Sequence, residues 1–183
     1  MKKIILITIL QIFIFQLIAQ TDNFSIVIEN NNTDTVLVAK LNNFRANGIQ
    51  KQLELDSISP DTLIASAEKY LGTPHCMGGD SKKCIDCSGL LLASFRDINV
   101  NTPHGSEAMA HYGEIIPTQD SLQRGDLVFF VKTYSTKKVI THSGIYLGEG
   151  KFIHTSSSKG VIVSNLFYSK YWQDHFIFGT RIF

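Results

Sequence analysis

The sequence predicts an α+β protein in which helices precede an antiparallel sheet. Apolar residues recur with helical spacing between residues 59 and 96, after a serine–proline helix start. Beyond residue 126 the pattern changes to short β-branched and aromatic runs, separated by glycine, serine and lysine turns. The chain has 183 residues, 44% hydrophobic and 18% charged, which suits one folded domain preceded by a leader.

The first twenty residues have the layout of a secretory signal peptide. Lys2 and Lys3 precede an apolar run over residues 4–18, which ends just before Ala19. A membrane anchor is the alternative, but the run is shorter than the ~20 apolar residues that a membrane span needs, and it contains glutamines. We expect residues 1–19 to be cleaved off, leaving a secreted or periplasmic protein with no stable membrane insertion.

Residues 20–58 are predicted to form an N-terminal arm of extended or β structure. Two short β-prone runs, residues 24–29 and 36–41, flank the polar stretch 30–34. They could form a hairpin with a long loop, or an extended arm lying on the main domain. The arm is too short to fold without help from its neighbour.

The main domain, residues 59–183, is predicted to begin with helices. Ser59 has the properties of an N-cap, and Pro60 suits the first helical position. A loop rich in glycine and polar residues leads to a second helix over residues 87–96, which is apolar on nearly every side and therefore expected to be buried. A short helix is expected at 106–112.

Five runs after residue 126 predict the strands of the sheet. Each is rich in β-branched or aromatic residues and is bounded by turn residues. The runs are residues 127–131, 139–147, 151–154, 160–163 and 176–182. Helices followed by strands indicate an α+β domain with an antiparallel sheet of about five strands.

Cys87 is the candidate nucleophile. It stands at the start of the buried helix, where converging backbone N–H groups, together with a nearby imidazole, lower the pKa of a thiol. Gly89 removes a side chain beside the sulfur, which would let a substrate approach. The alternative is a small buried core cysteine, a common fate of this residue.

His142 and His154 are the candidate base and its orienting partner. Side chains alternate along strands, so the two histidines share a face only if the connecting loop has an odd number of residues or a bulge intervenes. A three-residue loop at 148–150 would pair Gly144 with His154 and place His142 diagonally beside it. A two-residue loop would put the histidines on opposite faces.

The other cysteines allow three interpretations. Cys84 and Cys87 form a CxxC, which is typical of redox proteins, but no βαβ pattern precedes it. Zinc is a second possibility, although its four candidate ligands lack the two close pairs of a usual structural site. Those ligands are His75, Cys76, Cys84 and Cys87. In an oxidising compartment three cysteines leave one unpaired, and our hypothesis is a Cys76–Cys84 disulfide, a free Cys87 and no metal or cofactor.

The charge balance gives no support for nucleic-acid binding. The chain has 17 Lys and Arg against 16 Asp and Glu, and loss of the leader removes Lys2 and Lys3. A near-zero balance without a basic cluster provides no electrostatic basis for binding nucleic acid.

Four sequence blocks together resemble the NlpC family of papain-like cell-wall peptidases. They occur in the family's order across residues 61–182, and their combination is far more specific than any single block. The first joins Tyr70-Leu71-Gly72-Thr73-Pro74 and Gly78-Gly79 to Asp86-Cys87-Ser88-Gly89-Leu90. The others are Leu122-Gln123-Arg124-Gly125-Asp126-Leu127-Val128-Phe129-Phe130, His142-Ser143-Gly144-Ile145-Tyr146-Leu147-Gly148 and Phe152-Ile153-His154.

The resemblance implies a circularly permuted papain-like fold, with the nucleophile helix packed on the sheet. It implies hydrolysis of peptidoglycan stem peptides, often between D-glutamate and a diamino acid. We expect the protein to be a monomer. Cys87 would be the nucleophile, His142 the base and later acid, and His154 the orienter of His142. The backbone N–H of Cys87 would help form the oxyanion hole, and Asp86 and Ser88 match positions that help bind substrate in some members.

The chain departs from the family after Pro74. His75-Cys76-Met77 stands where the family usually has a tyrosine followed by Arg-Trp, and that tyrosine lies near the nucleophile and the reacting carbonyl. His75 could donate a hydrogen bond in its place. Two alternatives stay open, a cysteine amidase or peptidase with another amide substrate, and a catalytically silent protein that binds wall peptide or a partner protein. The intact set of Cys87, His142 and His154 argues against silence.

Overall fold

The structure, a computed structural model, describes residues 22–55 and 58–183. The predicted signal peptide, residues 1–19, lies outside the described residues. Across the described ranges, the helices are too short or too polar to cross a membrane.

Helices occupy the first half of the described chain and one short segment near its end. They are α1 (Asn23–Asn30), α2 (Thr35–Ala46), α3 (Pro60–Glu68), α4 (Cys87–Arg96), α5 (Ser106–Met109) and α6 (Lys170–His175). The helices predicted at Pro60 and Cys87 begin where expected, and Ser59 caps α3 through its side chain. The helix predicted at 106–112 is shorter, and α6 was not predicted.

The strands form one six-stranded antiparallel sheet and a small hairpin. The hairpin pairs β1 (Asp80–Ser81) with β2 (Cys84–Ile85). The sheet contains β3 (Glu114–Ile116), β4 (Leu127–Phe130), β5 (His142–Gly148), β6 (Lys151–Ser156), β7 (Gly160–Asn165) and β8 (Phe176–Arg181), in the order β3-β8-β4-β5-β6-β7. The predicted α+β class is confirmed. The five predicted strands are present, and the sixth, β3, is a three-residue edge strand that was not predicted.

Within residues 22–55 the N-terminal arm contains the two helices α1 and α2, so the prediction of extended or β structure is wrong for the segments that were expected to be strands. Asp22 and Asp34 cap α1 and α2, because their side chains accept hydrogen bonds from the backbone N–H groups of Ser25 and Leu37, each at 2.9 Å. Such caps satisfy N–H groups that a helix start otherwise leaves unpaired. Local capping therefore favours helices at the two positions where β-branched residues suggested strands.

Burial explains why both arm segments remain helical. Leu37, Leu41 and Phe44 of α2 are buried and recur at intervals of four and three residues, which puts them on one helix face. Phe44 and Phe24 of α1 both pack against the Phe178 ring of β8, with centroids 6.0 and 5.8 Å away. The arm thus shares the hydrophobic core of the sheet, and this tertiary burial outweighs local β propensity.

The connection between β5 and β6 is a two-residue turn with a bulge, not the predicted three-residue loop. Glu149 and Gly150 both have positive φ, 53° and 73°, as a type I′ turn requires. The register pairs Tyr146 with Phe152 and then Gly148 with Lys151, so one residue of β5 is bulged. The bulge restores the odd offset that puts His142 and His154 on one face.

The buried helix α4 lies against β5 and β6 and beside α3. Its side chains Leu90, Leu91 and Phe95 are almost fully buried in the core. This packing points the N-terminus of α4, and with it Cys87, toward the sheet face that carries the two histidines.

Candidate active site

Cys87 is the first residue of α4, and Asp86 is the N-cap of that helix. The Oδ1 atom of Asp86 accepts hydrogen bonds from the Gly89 N–H at 2.7 Å and from the Ser88 hydroxyl at 2.8 Å. Its Oδ2 accepts one from the Gly78 N–H at 2.7 Å. The buried carboxylate therefore fixes both the start of α4 and the loop that precedes it.

A cavity of about 420 Å³ opens beside this helix start, and we refer to it as the Cys87 cavity. Its wall includes every residue predicted to act on substrate: His75, Asp86, Cys87, Ser88, His142 and His154. Further lining comes from Ser106, Tyr134, Lys138, Thr141, Tyr171 and Trp172. Residues separated by up to about half the chain thus meet at one concave surface.

The substrate-binding roles predicted for Asp86 and Ser88 stay predictions. Both residues face the Cys87 cavity, but the contacts they make within the described chain hold Cys87 in position. Gly89 does not open space beside the sulfur as expected. A Cβ atom at this position would lie 1.9 Å from the carbonyl oxygen of Gly79, so the glycine permits close packing of α4 on the preceding loop.

A hydrogen-bond chain links His142, His154 and Ser164 across three neighbouring strands. His142 Nε2 lies 2.9 Å from His154 Nδ1, and His154 Nε2 lies 2.9 Å from Ser164 Oγ. His154 pairs directly with Ile162 of β7, two residues before Ser164, and a Cβ atom on Gly144 would lie 3.2 Å from the His154 Cβ. Each hydrogen bond therefore runs diagonally between adjacent strands, at a separation that long side chains can bridge.

The hydrogen bonds from His142 to His154 and from His154 to Ser164 determine which nitrogen of His142 can act as a base. Nε2 is occupied by His154, so Nδ1 is the nitrogen left for the thiol. A neutral imidazole has one N–H, and a His142 that is to accept a proton at Nδ1 must carry its hydrogen on Nε2 and donate it to His154. His154 then carries its own hydrogen on Nε2 and donates it to the Ser164 hydroxyl.

Both histidines are neutral near pH 7. Burial lowers the pKa of His142 well below its usual 6.5, and the neighbouring His154 and His75 rings lower it further. Burial also lowers the pKa of His154 to about 4, opposed by a backbone hydrogen bond to Thr155. A neutral imidazole is the form that can accept a proton, so His142 suits the role of general base.

Aromatic rings enclose the histidine pair. The Trp172 ring of α6 stacks on His142, with centroids 5.2 Å apart and planes at 24°, and meets His154 edge-on at 4.8 Å. Phe152 stacks on His154 at 4.7 Å. The indole covers one face of His142 and can stabilise the imidazolium that forms when His142 takes a proton.

The thiol of Cys87 is not the preformed thiolate that the helix N-terminus suggested. Burial raises its pKa above the usual 9.0, and the Asp86 charge raises it further. The Ser106 hydroxyl, 3.5 Å from the sulfur, and the backbone N–H groups of Ser143 and Ser88 oppose this rise. Desolvation is the larger effect, so the sulfur holds its proton in the substrate-free structure.

The structure joins Cys76 and Cys84 in a disulfide and leaves Cys87 as a free thiol. The disulfide lies in the loop that carries His75 to the Cys87 cavity. Cysteines paired in this way are not thiolate ligands, so the zinc alternative loses two of its four. Among the residues with described positions, no cluster of three or more His, Cys, Asp or Glu is arranged to hold a metal ion.

Three residues that contact Cys87 or the histidine pair escaped the sequence interpretation. Ser106, Ser164 and Trp172 belong to a short helix, an edge strand and a second short helix, and none lies in a local motif. They reach the site through tertiary packing alone. The Ser169 cap that begins α6, three residues before Trp172, is the one local signal that could have revealed its helix.

A thiol at a helix N-terminus and a neutral histidine pair facing the same cavity define the site of a cysteine peptidase. Residues 72–181 match the NlpC/P60 family. The chain belongs to this family, whose members are cysteine peptidases, and the resemblance seen in the sequence is confirmed.

Individual relatives agree with this assignment. The chain is 30% identical over 169 residues to the probable endopeptidase NlpC homolog of Haemophilus influenzae, covering 89% of this chain and 87% of that protein. It is 33% identical over 125 residues to the gamma-DL-glutamyl hydrolase of Bacillus subtilis, covering 68% of this chain. The match spans only 30% of the length of that hydrolase.

A solved structure supports the fold. The chain matches an NLP/P60 family protein from Staphylococcus aureus, described as similar to lipoprotein, with a TM-score of 0.60 and 30% identity. The match covers 73% of this chain and 43% of the staphylococcal chain. The papain-like fold expected from the sequence is therefore confirmed.

Proposed function

We propose that this protein is a secreted thiol endopeptidase that cleaves peptide bonds in peptidoglycan stem peptides. The observation that carries the proposal is the convergence of Cys87 and the hydrogen-bonded pair His142–His154 on one cavity. Membership of a family of peptidoglycan hydrolases supports the choice of substrate. All three residues come from a single chain, which supports action as a monomer.

The first half of the reaction forms a thioester. Nδ1 of His142 accepts the thiol proton of Cys87 as the sulfur attacks the carbonyl carbon of the scissile bond. The tetrahedral intermediate collapses when the C–N bond breaks and the imidazolium of His142 gives its proton to the departing amine. Because His154 accepts a hydrogen bond from Nε2 throughout, the imidazole keeps its orientation during both proton transfers.

The second half restores the enzyme. Water loses a proton to His142 and attacks the thioester, the C–S bond breaks, and the sulfur of Cys87 regains the proton. The backbone N–H of Cys87, in the first turn of α4, can donate to the developing oxyanion. His75 faces the same cavity and can supply a second hydrogen bond where other family members have a tyrosine.

We further propose the bond between D-glutamate and a diamino acid as the site of cleavage. The name of the Bacillus subtilis relative, a gamma-DL-glutamyl hydrolase, supports this specificity. We also propose export, because peptidoglycan lies outside the cytoplasm. Lys2, Lys3 and the apolar run at residues 4–18 are the basis for proposing a cleaved signal peptide and a secreted or periplasmic location.

The test is digestion of purified sacculi and of a synthetic stem peptide, followed by mass spectrometry. We expect the wild type to release fragments that end at D-glutamate, and the Cys87→Ala variant to release none. The Ser158→Ala variant, altered on the exposed turn between β6 and β7, serves as the matched control and should give the wild-type fragments. Identical products from wild type and Cys87→Ala would contradict thiol catalysis, and a different new terminus would contradict the proposed bond.

A further inference from the structure

A second cavity, of about 550 Å³, lies between α2 and the loop that joins β4 to β5. We refer to it as the α2 cavity. Its lining from α2 and the α2 cap consists of Asp34, Val36, Leu37 and Lys40, and its lining from the loop includes Lys132, Tyr134, Lys138, Val139 and Thr141. The arm formed by α1 and α2 therefore builds one wall of a recess that the catalytic machinery does not use.

The two cavities are adjacent. Tyr134, Lys138 and Thr141 line both the Cys87 cavity and the α2 cavity. A ligand that extends from the catalytic site past these three residues can therefore contact the α2 cavity.

The α2 cavity has an excess of positive charge. Lys40, Lys132 and Lys138 line it against one carboxylate, Asp34. Asp34 already forms an ion pair with Lys132 and caps α2. Across residues 22–55 and 58–183, Lys40 and Lys138 form no ion pair, so their ammonium groups are available to an anionic ligand.

Another carboxylate, that of Glu107, lines a small third recess together with Lys40, but within residues 22–55 and 58–183 it forms no ion pair with a lysine. Glu107 lies at the rim of the Cys87 cavity, and its Oε2 accepts hydrogen bonds from the backbone N–H groups of Val139 and Ile140 at 2.6 and 3.1 Å. Its role is to hold the loop, which in turn presents Lys138 to the shared boundary of the two cavities.

The apolar part of the α2 cavity is suited to small alkyl groups. Val36 is 68% exposed and Tyr134 is 49% exposed, so the recess offers an aliphatic and an aromatic surface beside its lysines. Short alkyl side chains alternating with free carboxylates are the chemistry of a stem peptide. A neutral glycan lacks the carboxylates, and a cationic ligand would meet like charge.

We propose that the α2 cavity binds the free carboxylates of a stem-peptide segment that flanks the scissile bond. This inference rests on the proposed function and adds a recognition site to it. Lys40, which lies in α2, is outside residues 72–181, the part of the chain that matches the family. The N-terminal arm therefore takes part in recognising this segment of the substrate.

The test is binding, measured by titration calorimetry at low ionic strength in the Cys87→Ala background so that nothing is cleaved. The probes are a stem peptide with free carboxylates and the same peptide with those carboxylates amidated. We expect about fivefold tighter binding of the carboxylated peptide, a difference that shrinks with added salt. Lys40→Gln/Lys138→Gln should abolish the preference, whereas the exposed control pair Lys69→Gln/Lys82→Gln should retain it.

Equal affinity for the two peptides, or a preference that survives the Lys40→Gln/Lys138→Gln change, would overturn the proposal. Cleavage is assayed separately with the wild-type thiol. Cleavage without a lysine-dependent preference would overturn the α2 site and leave the endopeptidase intact. A lysine-dependent preference without cleavage would support the α2 site and refute the endopeptidase.

Discussion

At the scale of single residues, the protonation state of Cys87 separates two mechanisms. Its pKa is raised above 9.0 chiefly by burial, and the pKa of His142 is lowered below 6.5 for the same reason. The raised pKa of Cys87 and the lowered pKa of His142 both keep the proton on the sulfur at pH 7. The substrate-free enzyme therefore contains a neutral thiol and a neutral imidazole, and proton transfer accompanies attack on the substrate.

The rate at which iodoacetamide alkylates Cys87 should therefore follow the small thiolate fraction. Because the thiol pKa is raised, the fraction at pH 7 is below about 1% and the rate should grow about tenfold per pH unit from pH 7 to 9. Mass spectrometry of the labelled protein measures this rate, and Cys87→Ala should take up no label. A rate that is flat from pH 5 to 8 would reveal a preformed thiolate–imidazolium pair instead.

Ser164 is predicted to keep His142 in the tautomer that can accept a proton. Ser164→Ala leaves the Nε2–H of buried His154 without an acceptor, which favours the opposite tautomer and puts a hydrogen on Nδ1 of His142. We expect kcat to fall about tenfold with KM within about twofold, since Ser164 does not line the Cys87 cavity, and Ser164→Thr to restore activity.

Steady-state kinetics on a stem peptide across pH 5–9 measure this effect. Ser158→Ala, on the turn between the same two strands, is the matched control and should behave as wild type. A Ser164→Ala enzyme with unchanged kcat at every pH would show that the hydrogen bond serves packing only.

At the scale of elements, the loop from β4 to β5 is a wall shared by the two cavities, and Glu107 holds it. Glu107→Ala removes two charge-assisted hydrogen bonds, to the N–H groups of Val139 and Ile140. The loop should then sample more conformations, so we expect KM to rise about fivefold while kcat changes by less than about twofold. The same kinetic assay tests this, with Glu149→Ala, an exposed carboxylate on the β5–β6 turn, as control. A change confined to kcat would place Glu107 in the chemistry instead.

The elements also show where sequence patterns were sufficient and where they failed. Helix α3 was predictable because cap, proline and apolar spacing agreed, and helix α4 was predictable from its run of apolar residues. The arm was misjudged because β-branched residues near Val27 and Val36 suggested strands. The spacing of Leu37, Leu41 and Phe44 already matched one face of a helix, but the sheet surface that rewards this spacing lies more than a hundred residues away in sequence, at Phe178.

At the scale of the whole molecule, strand order decides which residues become the site. Motifs marked Cys87, His142 and His154, because each lies in a block with its own sequence pattern. Ser164 becomes part of the site only because β7 pairs with β6, and Trp172 only because α6 folds over the histidines. Long-range pairing leaves no local trace in the sequence, so these two residues required the structure.

Long-range contact also predicts which of two ion pairs stabilises the molecule, the buried pair Asp126–Arg181 or the exposed pair Asp61–Arg124. Asp126, 3% exposed, accepts two hydrogen bonds from Arg181, at 3.0 and 2.8 Å, and one from the Gln123 N–H at 2.7 Å. This pair joins the turn before β4 to the end of β8. Asp61 instead meets Arg124 at the surface, with 74% of the Asp61 side chain exposed.

Asp126→Ala should therefore lower the free energy of unfolding by about 2–3 kcal/mol, because it removes the carboxylate that pairs with Arg181 and leaves the Gln123 N–H without its acceptor. The control Asp61→Ala should lower it by less than about 1 kcal/mol, since water screens an exposed pair. Urea denaturation measures both, and equal m-values would show that the comparison concerns stability alone. If the two variants lost the same stability, the contact between β8 and the β4 turn would be no more important than a surface ion pair.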